Sequence, residues 1–361
     1  KLVSDELGAI QSLIKLRLIN HKDVIMNNQI RIMLTLISLF IFPLKSFAEI
    51  KFSNATAKDI GRAYGFYIAQ TYYLSEISQK YPSLSISAEV VEKEFASNFS
   101  VSIRNMDLFM DKHAKTEWGK IKQRVPSQIA NLFNKEQVSL DQAREFVELV
   151  SKRAKGEIES PIIQTLLLFK PAYESNPGLE FIDGYKQKYL SDGLGKAKGV
   201  AFSIEHPITW IAKEAERPNI VQKFVSENGQ GPASFLILIK ELLIETGKKI
   251  TEEDISEILE PEYIQSLIPN GGNYLNSGRL TLEGLPGFWM HYKVESSRVR
   301  STVGMEVLVY TIYYNNKLIQ IQGQLITSFN GEPTVHVEFE KYEKLFDLMA
   351  NSFIILNLYE G

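Results

Sequence analysis

The hydrophobic period of this chain changes once, and that change limits what it can fold into. From Ala55 to about Tyr173 apolar residues recur at spacings of three and four. Beyond Gly199 they alternate, with Val, Ile, Phe and Tyr gathered into short runs. A stretch patterned for helices cannot also serve as a sheet, because the two periods present different faces. The expectation is therefore an α+β chain, with an all-helical N-terminal domain followed by an antiparallel sheet flanked by helices.

In the helical half, a first helix is expected behind Asn54 or Thr56, with Ile60, Tyr64, Tyr67, Ile68 and Leu74 inward, ending at Tyr81-Pro82. A second opens at Ser87, with Val90, Val91, Phe95 and Phe99 inward. A third carries Met106, Phe109, Met110, Trp118 and Ile121, and Pro126 marks a break or a first helical turn. Ser139-Leu140-Asp141-Gln142 forms a capping box. Gly61 and Gly65 have the small-residue spacing that lets helices approach closely.

The segment 176–198, with Asn176-Pro177-Gly178 and four glycines in all, reads as a linker. Strands follow at 200–205, 220–227 and 233–243. A helix capped by Thr251 comes next, then strands near 274–282, 287–295, 303–314 and 317–326. Asn315-Asn316 joins the last two as a tight hairpin, since Asn tolerates positive φ. A helix over 340–356 closes the chain.

This order resembles the PsbP/Mog1-like family over about residues 199–358. The resemblance is carried by Gly199-Val200-Ala201-Phe202-Ser203-Ile204-Glu205-His206-Pro207-Ile208-Thr209-Trp210, by the turn Gly284-Leu285-Pro286-Gly287-Phe288-Trp289, and by the closing Met349-Ala350-Asn351-Ser352-Phe353. It implies an antiparallel sheet flanked by helices and a binding or assembly role rather than an enzymatic one. It supplies no catalytic set that maps onto these residues.

Ahead of both halves, Arg31 precedes the apolar run Ile32 to Phe42, and Ser46-Phe47-Ala48 follows it. A basic start, a short apolar segment and small residues before a cut describe an export signal. A spanning helix would need about 20 apolar residues. The chain is thus expected to divide into an upstream extension at 1–25, a signal at 26–48, a helical domain at 49–175, a linker at 176–198 and a PsbP/Mog1-like domain at 199–361. The expected location is extracytoplasmic, periplasmic or secreted, with no stable membrane span once the signal is cleaved.

Composition narrows the chemistry. The chain has no cysteine, which excludes disulfides, thiol catalysis and Cys-ligated zinc. Residues 1–48 hold six of the 40 Lys and Arg and three of the 43 Asp and Glu, so the remainder is net −6. Nucleic-acid binding needs clustered positive charge, and no basic stripe with interleaved aromatics is present. No G-x-S-x-G elbow and no H-E-x-x-H occurs. No metal or cofactor is expected.

Glu205-His206 is the best acid–base candidate, with His291 beside it as a weaker one. His206, His291 and His336 could meet across the sheet. Tyr64, Tyr67, Trp289 and Tyr313 are the candidate contact residues, since aromatic side chains favour interfaces. The leading expectation is an exported non-enzymatic binding or assembly protein with a protein partner or a homo-oligomer. The alternatives are a hydrolase using carboxylate and His chemistry, and a carrier of a small apolar ligand.

Overall fold

The computed structural model describes residues 50, 52–135, 138–158, 160–242, 250–298, 301–329 and 335–359. The expected export signal and upstream extension lie outside the described residues. The chain is α+β, with an N-terminal helical region and an antiparallel sheet flanked by helices.

Helix α1 (Asn54–Lys80) is capped by Ser53, whose hydroxyl accepts the Thr56 N–H at 3.0 Å. It stops at Tyr81, ahead of Pro82, and buries Ile60, Ala63, Leu74 and Ile77. Helix α2 spans Ser85–Lys135 and is broken at Ala114, where φ is −150° and ψ 42°. The break is not at Pro126, which lies within the helix. Asp107 accepts from Trp118 Nε1–H at 2.6 Å and from Lys122 Nζ at 2.5 Å. In a straight helix those partners would sit about 16 and 22 Å farther along. The chain therefore folds back at Ala114, and Asp107 holds the bend. Burial pulls the Asp107 carboxyl upward, but the Lys122 and Trp118 hydrogen bonds outweigh it and leave the group below its usual range.

Helix α3 (Leu140–Ala154) begins with the expected capping box, Ser139 and Gln142 each bonding the other's backbone. Helix α4 (Pro161–Leu168) completes the helical core, in which Phe95, Phe99 and Trp118 are fully buried. A Cβ on Gly65 would meet Val125 at 3.9 Å, an ordinary contact, so packing there does not demand a glycine.

The segment expected as a linker is folded. Short helix α5 (Pro171–Ser175) precedes it, and it carries short helix α6 (Gly178–Ile182), then strand β1 (Lys186–Ser191). Strand β1 pairs antiparallel with β2 (Phe202–Pro207), and its glycines supply turns rather than slack: Gly193, Gly195 and Gly199 all have positive φ. The last strand, β10 (Ile354–Ile355), pairs with the other edge of β2. Leu356 N–H donates to the Ala201 carbonyl, and the Ala201 N–H donates to Asn357.

The large sheet runs β3-β4-β5-β9-β8-β7-β6, with β3 Ile211–Lys213, β4 Ile220–Val225, β5 Ala233–Glu241, β6 Gly272–Leu282, β7 Leu285–Arg298, β8 Ser301–Tyr314 and β9 Lys317–Phe329. Every pairing is antiparallel. The Asn315-Asn316 hairpin is present, with Asn315 at φ 52°. Helices α7 (Glu252–Ile258) and α8 (Pro261–Ser266) cover one face over Phe288, Met290, Tyr292, Val307 and Val309. Helix α9 (Val335–Asn351) covers the other through Phe339, Tyr342, Leu345, Phe346 and Met349. It starts and ends five residues earlier than alternation and heptad spacing suggest. A Cβ on Gly323 would lie 2.3 Å from the Phe346 ring, so only glycine lets α9 sit this close to β9.

The halves share contacts. Gln164 of α4 donates to the Ile208 carbonyl at 2.8 Å, and Ile208 packs in the helical core. The Tyr185 hydroxyl donates to the Ala154 carbonyl.

Candidate functional site

Alternation along β2 sends Glu205 and His206 to opposite faces, so they do not form an acid–base pair. Glu205 pairs with Lys186 at 2.7 Å. His206 is buried against Phe224, its Nδ1 2.9 Å from the Pro207 carbonyl. Burial holds its pKa near 4, so the ring is neutral at physiological pH.

The other two histidines do converge, on a residue that sequence reasoning passed over. Glu306 of β8 is fully buried, and its Oε1 lies 2.8 Å from His336 Nδ1 and 2.8 Å from His291 Nε2. The His336 contact is a well-formed hydrogen bond; His291 is as close but less well aligned. His336 Nε2 in turn lies 3.6 Å from Glu340, one turn along α9. Phe339 stacks on His291 at 4.9 Å. Glu306 Oε2 has no hydrogen-bond partner among the described residues.

Sheet register explains the meeting. Lys293 stands opposite Glu306, so His291 and Glu306 project from the same face, the one α9 covers. Burial alone would raise the Glu306 carboxyl, but the two imidazoles overcome it and hold the group below its ordinary value. His336 is raised, chiefly by its bond to Glu306. The cluster can bind and exchange a proton, because His336 is half exposed while its partner is not. Among the described residues no group of three or more His, Asp or Glu can hold a metal ion. One signal for Glu306 was present in the sequence: a lone carboxylate inside the apolar run Met305 to Val309.

A second buried carboxylate, Glu180 of α6, accepts from the Thr209 N–H at 2.9 Å and the Thr209 hydroxyl at 2.6 Å. Burial pushes its pKa up to about 7. On the sheet face away from α9, Gln320, Gln322 and Gln324 of β9 are all buried. Gln324 bonds Ser234 at 2.9 Å.

The four aromatic contact candidates are taken up in packing. Tyr64 meets Trp118 edge-on at 5.0 Å, and Tyr67 stacks on Phe95 at 5.8 Å. Tyr313 is buried under α7 and α8, and Trp289 is half-buried against the α9 side of the sheet.

Exposed apolar side chains lie elsewhere, and four of them line up on α2. Val90, expected inward, is 59% exposed, and Ile86, Val101 and Leu108 are also exposed. With 3.6 residues per turn, Ile86, Val90, Lys93, Ser97, Val101, Arg104 and Leu108 form one line. All seven are exposed, and the line runs opposite the buried Ala88, Val91, Phe95, Phe99 and Met106. A surface helix usually turns a polar back to water. This one is apolar front and back, which is why a single-face reading took Val90 inward.

No helix among the described residues is long and apolar enough to cross a membrane. No protein family matches the chain, and no curated protein matches it. Among solved structures, the chain is similar in its C-terminal half to three proteins at low identity. One is a protein of Bacteroides thetaiotaomicron VPI-5482, 10% identical, with 47% of this chain and 48% of that chain covered and a TM-score of 0.27. The chain thus spans about half the length of that protein. Another is LpqN of Mycobacterium tuberculosis, a protein involved in cell envelope biogenesis, 11% identical, covering 48% and 92%, TM-score 0.29. The third is a mutant of the protein Mog1, 13% identical, covering 47% and 96%, TM-score 0.29.

Proposed function

We propose that this chain is an exported, non-enzymatic binding or assembly protein that docks another protein on the outer face of α2. The observation that carries the reading is the line of Ile86, Val90, Val101 and Leu108, apolar, exposed and backed by a rigid core. Exposed apolar side chains aligned on a well-packed element, even with Lys93, Ser97 and Arg104 among them, mark a candidate interaction site. The sheet half, read as a PsbP/Mog1-like unit on its strand order and flanking helices, is the scaffold. Export rests on the basic, apolar and small-residue pattern of 26–48.

A photoreactive amino acid at Val101 tests the docking face in the native host, with one at exposed Lys188 as the control. Adducts from position 101 alone, abolished by V90E with L108E, are expected. No adduct, or equal adducts from both positions, rejects the reading. Cytosolic protein with residues 26–48 still attached rejects export.

A second reading, acid–base chemistry, is favoured by one observation: His336 joins solvent to the buried Glu306. Hydrolysis of an ester or glycoside panel lost in H336A is what that reading requires.

A further inference from the structure

Charge along the α2 line narrows the partner, if the docking reading above holds. Lys93 and Arg104 interrupt the apolar residues and are exposed, and neither forms an ion pair among the described residues. They stand 11 residues apart, about 16 Å along the axis. The line repeats as four, three, four, an 11-residue period close to that of a straight α-helix. It runs from Ile86 to Leu108, about 33 Å, and ends before the bend at Ala114. Glu89 borders the line on one side and Glu94 on the other.

Three kinds of occupant could cover such a face, and the charges separate them. A second copy packed antiparallel about Ser97 would bring two Lys93 and two Arg104 into one seam, where like charges repel. A parallel pair would set each cation against its own copy. An anionic membrane would welcome Lys93 and Arg104 but meet the Glu89 and Glu94 carboxylates on the flanks. A helix with the inverse pattern satisfies both regions at once.

We infer that the docked partner is an amphipathic helix of a different protein, about six turns long, with carboxylates 11 residues apart in its apolar seam and lysines on its flanks. The seam carboxylates would pair with Lys93 and Arg104, and the partner's lysines with Glu89 and Glu94. Ile86, Val90, Val101 and Leu108 would pack against its apolar side chains as anchors. Rim and seam charges of this kind set orientation and reject wrong partners more than they add affinity.

The test uses the full chain and two synthetic 22-residue helices followed by fluorescence anisotropy. One has a Leu seam with two Glu 11 residues apart and Lys flanks. The other exchanges every Glu and Lys. The first is expected to bind at least tenfold more tightly than the second, and the Lys93→Glu, Arg104→Glu double variant should abolish that preference. Equal binding of the two peptides, or binding of neither, overturns the inference. So does a concentration-dependent dimer abolished by V90E with L108E, or binding to phosphatidylserine vesicles that the same variant abolishes. Position-specific adducts at Val101 alongside failed peptide discrimination would sink this inference and leave the docking reading standing.

Discussion

Both halves leave aliphatic side chains in water, Val90 in one and Leu190 and Leu194 in the other, but they differ in the polar groups that they bury. The helical half leaves Ile86, Val90 and Leu108 in water. The sheet half takes Glu306, Gln320, Gln322 and Gln324 out of it. Exposing an aliphatic side chain forgoes burial and strains nothing. Burying a carboxylate or an amide adds a desolvation cost unless partners are supplied. An exposed apolar line is therefore cheap to keep and useful only to something outside. A buried polar group must be repaid inside, by geometry that only the finished fold provides. Both halves rely on contacts distant in sequence: Arg153 donates to Gln70 across 83 residues in one, and His336 meets Glu306 across 30 in the other, once α9 closes on the sheet.

The contrast can be broken hardest at Gly323. Adding a methyl puts a carbon inside the Phe346 ring, which Phe235, Phe339 and Tyr342 hold in place. G323A should cost about 3 kcal/mol, read as lost amide-exchange protection across β5, β8, β9 and α9. Protection in α1 and α3 should fall much less. Equal loss in both halves would mean that they unfold as one unit.

A middle-sized effect is expected with pH. Glu180 is raised on folding, so the folded state holds a proton that the unfolded chain releases. Its contribution is full below an unfolded carboxyl pKa and is lost as pH climbs toward about 7, an effect of roughly 3 kcal/mol. Glu306 is lowered, so its contribution is lost as pH falls through its folded pKa. That of His336, which is raised, is lost as pH rises through its folded pKa. Urea denaturation of E180Q should therefore show a flatter stability profile between pH 5 and 7 than the parent. E306Q should flatten the acid limb instead. An unchanged profile in both would remove these carboxylates from the account.

The smallest effect belongs to the exposed line. V90E with L108E should change stability by under about 0.5 kcal/mol while removing partner contact. A large loss of stability would show that the line is core rather than surface.

Local chemistry made much of this legible beforehand. The Ser139–Gln142 box, the Thr251 cap and the Asn315-Asn316 hairpin each depend on residues within a turn of one another, and each formed where the residues stand. Strand alternation located β4 through β9 for the same reason. What escaped was non-local. Nothing near Ala114 resembles a break, because the bend is held by Asp107 reaching Trp118 and Lys122. Strand β1 hid among glycines because its partner lies beyond them. Val90 was misplaced because apolar residues fill two opposite sides of one helix, and periodicity alone does not say which side is wet. The Glu306 cluster needed the register of β7 against β8 and the docking of α9 before its members could be seen together.

Strand β2 lies between the opening and the closing residues of the sheet half, with β1 on one edge and β10 on the other. A chain delivered N-terminus first brings out β2 some 150 residues before Ile354 arrives to zip it. The helical half can set as it emerges, and the seven-stranded sheet has all its strands once Phe329 is out, but β2 gains its second edge only with the final stretch. The three-stranded sheet thus takes its last stitch after the rest of the chain is in place.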